Sequence, residues 1–130
     1  MVHPQMYDDR DPLLHRLSTM ALSFPEAQQK VAHGRPTFFT VKVFAYYGGS
    51  IKGDHTSQSL SRALLFLPEE DDRQALLEDG RFLVPAYLGP TGWLGLDLAA
   101  DTPDWDEVRE LLDASYRRTA PQHLVAQLAG

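Results

Sequence analysis

Six side chains, Lys30, His33, Arg35, Lys42, Lys52 and Arg62, are the part of this chain whose types and spacing suit a definite chemistry, the neutralisation of phosphate. Between Lys30 and Arg62 five lysines and arginines stand against one acid, Asp54, so the segment carries +4. From Pro68 to Asp113 thirteen acids stand against three arginines, and the balance falls to −10. The whole chain carries −6, so its long-range field opposes a polyanion that the basic segment would attract. Five cations are a modest footprint for a duplex, and an ordinary solvated sheet face accounts for the same residues without any ligand.

Other chemistries find fewer supports. The acids Glu69 to Asp72, with Asp104, Asp106 and Glu107, offer hard oxygen ligands, but acids in the first turn of a helix more often answer the helix dipole. His33, His55 and Asp54 lack metal-ligand spacing, and no cofactor or metal site is expected. The run Gly48-Gly49-Ser50-Ile51-Lys52 breaks the Gly-x-Ser-x-Gly pattern of a serine hydrolase, and Lys52 precedes Gly53 where a phosphate loop needs the reverse order. The chain has no cysteine, which removes disulfides, thiolate nucleophiles and cysteine metal sites.

The elements that must position these residues follow from pattern. Asp11, Pro12 and apolar positions Leu13, Leu14, Leu17, Met20 and Ala21 predict a first helix ending near Ser23, before Pro25. Residues 27–33 are expected to form a short strand leading into a turn at Gly34. Thr37 to Tyr47 is either one long strand or a tight hairpin folded near Thr40 to Lys42. The polar, Gly/Ser-rich stretch Gly48 to Leu60 is expected to be a mobile loop, available as a wing. Arg62 to Leu67 is a buried strand, and Pro68 opens an acidic short helix that stops at Gly80.

Arg81 to Leu88 and Trp93 to Leu98 are expected to form a hairpin turned at Gly89, Pro90 and Thr91. Thr102 and Pro103 start a helix whose Trp105, Val108, Leu111, Leu112, Ser115 and Tyr116 face the core. Trp93, Trp105, Tyr87 and Tyr116 are expected to pack between that hairpin and that helix. Ser115 is expected to hydrogen-bond locally or across to the sheet. At 130 residues and 43% hydrophobic composition, the chain is expected to be a single domain, residues 1–130, with its core at about 10–120 and a short amphipathic helix within 121–128. No apolar run reaches the roughly 20 residues of a membrane span, and the polar N-terminus is unlike a secretion signal, so a cytoplasmic location is the simplest expectation.

In order and spacing, Ser23-Phe24-Pro25, His33-Gly34-Arg35-Pro36-Thr37-Phe38-Phe39, Lys42-Val43-Phe44-Ala45, Val84-Pro85-Ala86-Tyr87, Gly92-Trp93-Leu94 and Glu110-Leu111-Leu112 to Ser115-Tyr116 resemble the MmcQ/YjbR-like family of small bacterial proteins. The resemblance covers about residues 10 to 120. It implies an α+β fold of the CyaY-like kind, an antiparallel sheet with helices packed on one face, and a double-wing motif to which DNA binding is ascribed by structural analogy. The chain lacks the glycine that many members carry in the turn between Phe39 and Val43.

The resulting expectation is a non-enzymatic domain with duplex DNA as its most specific partner, bound through Lys30, His33, Arg35, Lys42, Lys52 and Arg62. The alternatives are an adaptor for a protein or small ligand whose acidic half meets a basic partner, and a cryptic enzyme. The phosphoribosylglycinamide formyltransferase label that some relatives carry is set aside, because that chemistry uses an asparagine and this chain has none.

Overall fold

The computed structural model describes residues 4–54 and 57–128. Asp11 caps the first helix, α1 (Pro12–Ala21), by accepting from the Leu13 amide at 3.0 Å, and Leu14, Leu17 and Ala21 turn inward. Strands β1 (Gln28–Ala32) and β2 (Arg35–Phe39) then form an antiparallel hairpin. Its turn, His33 and Gly34, has φ of 53° and 81°, the pair of left-handed residues that a two-residue hairpin turn requires. The segment from Thr37 to Tyr47 is the tight hairpin: β3 (Val43–Tyr47) pairs back on β2, with the Thr40 amide donating to Lys42 O. A register shift between Phe38 and Phe39 leaves Phe44 unpaired as a bulge and turns its ring to the helix side.

Strand β4 (Ala63–Phe66) is wholly buried. Helix α2 (Glu70–Glu78) follows with three acids in its first turn, then the two-residue β5 (Phe82–Leu83) and β6 (Leu94–Asp97). The chain closes with α3 (Trp105–Thr119) and one turn of helix, α4 (Gln122–Val125). The six strands make one antiparallel sheet in the order β1-β2-β3-β4-β6-β5. This is the α+β architecture of an antiparallel sheet with helices.

The two faces of the sheet are covered differently. On one face Phe38, Ala45, Tyr47, Leu64, Phe66, Leu94 and Leu96 pack with buried residues of α1, α3 and α4. There the Phe24, Phe44 and Tyr116 rings meet with centroids 5.1 to 5.9 Å apart. On the opposite face Tyr46, Leu65, Ala63 and Trp93 are covered by the loop residues Ile51, Leu60 and Leu88.

That second layer corrects the expectation of a mobile loop at Gly48 to Leu60. Leu60 is fully buried, Ile51 bridges to Pro85, and the chain pairs with 84–86 through Lys52 N to Val84 O (3.0 Å) and Ala86 N to Ser50 O (2.7 Å). The two apolar residues pull a polar stretch down onto the sheet. Residues 55–56, and with them His55, lie outside the described residues.

Three boundaries also differ. The strand expected over Arg81 to Leu88 stops after Leu83, since Pro85 has no amide for the ladder and Tyr87 turns left-handed at φ 66°. A long connection with one 3-10 turn at Gly89–Thr91 therefore replaces the tight hairpin. Helix α3 begins two residues later than expected because the Asp104 carboxylate, not Thr102, accepts from the Asp106 and Glu107 amides. Of the four aromatics expected between hairpin and helix, Tyr116 is there and Trp105 is half-buried. Trp93 instead packs edge-on to Tyr46 on the other face, and Tyr87 is 86% exposed.

Ser115 ties the last helix to the sheet. Its hydroxyl donates to Phe44 O at 2.5 Å, where the bulge frees a carbonyl, and accepts from the Leu67 amide at 2.9 Å. Replacing Ser115 with Ala leaves both buried backbone groups without a partner and should lower unfolding free energy by about 2 kcal/mol in urea titrations, with the native spectrum retained.

Candidate functional site

The six residues expected to meet phosphate do not gather in one place. Lys30, His33, Arg35 and Lys42 belong to the β1-β2-β3 side of the sheet, where cross-strand pairing puts Lys30, Arg35, Thr37 and Phe39 on one face. The Lys30 ammonium sits 4.6 Å above the Phe39 ring centre, and Lys42 is exposed at the β2–β3 turn. Strand β1 shows both of its faces to solvent from Gln28 to Val31. Between Glu26 and Asp54 there is no acid at all, so this side of the sheet is purely cationic in sequence. The tip is anchored by the N-terminal segment through Met6 N to Gly34 O at 2.9 Å.

Lys52 lies at the other end of the sheet. Its backbone pairs with Val84 just after β5, and β1 and β5 are opposite edges, about 24 Å apart at ~4.8 Å per strand. There it lines a groove of about 710 Å³ together with Arg73 of α2, Arg118 of α3 and Glu70. Sequence pattern does not single out Arg73 and Arg118. They stand far apart along the chain, and no local signal announces that folding brings them to Lys52. Each is also tied to backbone, Arg73 Nε to Gly92 O at 3.4 Å and Arg118 Nη1 to Pro68 O at 2.6 Å.

Arg62 is occupied. Its guanidinium grips the Asp11 carboxylate with two bonds, Nη2 to Oδ1 at 2.6 Å and Nε to Oδ2 at 3.0 Å, while the Tyr47 hydroxyl donates to the same Oδ2. Burial works to raise the Asp11 carboxyl, but the bonds from Arg62, Tyr47 and the Leu13 amide outweigh it and hold the group below its ordinary value. Tyr47 is pushed up by burial and by its bond to Asp11, and Arg62 by its bond to Asp11. An arginine so held is a structural partner of Asp11 first, and its availability to an external phosphate is correspondingly reduced.

Arg35 is different again. It is half-buried, its Nη1 has no hydrogen-bond partner among the described residues, and burial lowers its ordinary value. The ion pairs among the described residues use Arg62, Arg81 and Arg117, and none uses Arg35. The acids are elsewhere: Arg81 bridges Asp79 and Glu107 at 2.8 and 2.9 Å, joining the end of α2 to the start of α3. Among the described residues no group of three or more histidines and acids is gathered as for a metal ion, and no helix is long and apolar enough to cross a membrane.

Compared with known families, the chain matches one family model, that described as YjbR, over residues 22–118. No curated protein and no solved structure matches it. The matched span runs from the end of α1 to the last turn of α3 and includes the whole sheet, but not Asp11.

Because the folded Asp11 has a depressed pKa, its network contributes fully above the unfolded value near ~4 and is lost as pH falls through the lower folded value. The stability difference between the parent and Asp11→Ala should therefore be constant from pH 6 to 8, at about 2–3 kcal/mol, and shrink below about pH 4. Urea unfolding at each pH measures it.

Proposed function

The chain belongs to the YjbR family, and on that footing we propose that it is a non-enzymatic binding module that docks on duplex DNA through the β1–β2 ribbon. The observation that carries this reading is the acid-free run from Ala27 to Gly53 that builds the ribbon: Lys30 and Lys42 are exposed, His33 sits at the hairpin turn, and β1 is open on both faces. A two-stranded ribbon fits the major groove, about 12 Å wide, and needs no helix to enter it. The thirteen acids of the −10 segment lie on α2, α3, the end of β6 and the connections around β5 and β6, so the ribbon is the end of the molecule that a polyanion approaches.

Arg62 is left out of this surface, since Asp11 holds it, and Lys52 is too far across the sheet to share one short contact with the ribbon. The footprint then rests on two or three phosphate contacts, which makes binding weak, with a slope of only about −2 to −3 in log affinity against log salt. For every phosphate neutralised, log affinity falls by roughly 0.9 per log unit of salt.

Fluorescence anisotropy with a short duplex at about 50 mM salt should detect binding that fades by 200 mM. Replacing Lys30 and Lys42 together with Glu should abolish it, while circular dichroism shows the fold intact. Unchanged binding by that variant would remove the ribbon from consideration, and absence of any binding by the parent would remove duplex DNA.

A further inference from the structure

We propose that the cleft beside the tip of the ribbon, built around Arg35, is a binding site for a phosphoryl oxyanion. The cleft has a volume of about 320 Å³ and is lined by Arg35, Ser50, Ser57, Gln58 and Ser61, with residues 4–6 along one side. Among the described residues no carboxylate lines it, in a chain whose acids outnumber its lysines and arginines eighteen to twelve.

Nη1 of Arg35 is enclosed and unpartnered among the described residues. A guanidinium keeps its charge in any protein setting, and with Nη1 enclosed against Gly48 it is the remainder of this half-buried group that lines the cleft, a fixed positive charge with no carboxylate beside it there. The backbone is shaped to admit it. Gly48 has φ 90°, and a Cβ there would lie 2.4 Å from Arg35 Nη1 and 2.8 Å from Ser61 O, so only glycine leaves room for the guanidinium. Its position is held from both sides, by Gly48 N to Ala63 O at 2.8 Å and Gly49 N to Leu60 O at 2.9 Å.

The surrounding groups select among anions. A planar carboxylate is satisfied by the guanidinium fork alone, whereas a tetrahedral phosphoryl group takes donors from several directions. Ser50, Ser61 and Gln58, which share the lining with Arg35, suit the second geometry, while the Ser57 hydroxyl is engaged with Ser59 and the Gln5 amide with Tyr7 O. The cavity is at the small end of the roughly 300–1,000 Å³ range of ligand sites, which suits a phosphoryl group on a compact substituent. The same chemistry has two sources, a free phosphorylated small molecule or a backbone phosphate of the duplex, and the site stands whether or not the ribbon docks on DNA.

Titration of the ¹⁵N-labelled full chain with inorganic phosphate, at ionic strength held constant with sodium chloride, tests it. The amides of Gly48, Gly49 and Ser61 should shift saturably, Arg35→Met should weaken binding by about tenfold or more, and the Lys30→Glu, Lys42→Glu variant should bind phosphate as the parent does. A shift that does not saturate, or equal affinity in Arg35→Met, overturns the proposal. If Arg35→Met does not fold, the Ser50→Ala, Ser61→Ala variant replaces it: several-fold weaker binding supports the site and unchanged binding overturns it. Phosphate that displaces a labelled duplex supports the site with backbone phosphate as its source, and phosphate that binds without displacing it supports the site with a free ligand.

Discussion

A single buried carboxylate sets the relation between the helix layer and the sheet. Asp11, 6% exposed, caps α1 through the Leu13 amide, takes the Tyr47 hydroxyl from the end of β3, and takes two guanidinium bonds from Arg62 at the entry to β4. Each of these partners is weak alone in water, but together they surround a charge that burial would otherwise penalise. The helix start, the third strand and the fourth are thereby fixed to one point. Ser61 precedes Arg62 directly, and Gly48 follows Tyr47 directly, so the same clamp also sets the two backbone walls that enclose Arg35.

The sheet then serves as a partition. Its helix-side face is a dense aromatic and leucine core, closed by Ser115 and by Tyr116, whose hydroxyl reaches Pro25 O at 2.7 Å. Its other face carries a thinner layer in which Ile51, Leu60 and Trp93 do the covering, and where polar chain crosses above apolar strands. Charge follows the same geography. Acids collect on the helices, where first-turn positions and Arg81 accommodate them, and strands β1, β2 and β3 with their turns carry lysine and arginine but no acid. A molecule of net −6 thus keeps a cationic margin.

Much of this architecture is legible in the sequence because its signals are local. Asp11-Pro12 with a leucine stripe, Gly34 between β-rich runs, and the acidic turn after Pro68 each act within a few residues. The Gly48 to Leu60 loop misleads because its composition is polar while its order depends on two residues, Ile51 and Leu60, meeting a face assembled from distant strands. The set expected to meet phosphate follows from charge, and charge alone does not say who is already paired. Arg62 and Arg35 look alike in sequence. One closes on Asp11, 51 residues away, and the other lies in a cleft lined by hydroxyls. Arg73 and Arg118 reach the Lys52 groove by tertiary packing, which leaves no mark in spacing.

The outermost strand has a consequence for the protein in company with itself. From Gln28 to Ala32 one row of backbone donors and acceptors faces water, and a row of that kind is a template on which another chain can zip. Val31, 54% exposed, would favour such pairing. Lys30 stands beside it in the middle of the strand and obstructs it, because two copies laid edge to edge would bring their ammonium groups together. That one positive charge in mid-strand therefore works against self-association at the molecule's most adhesive border.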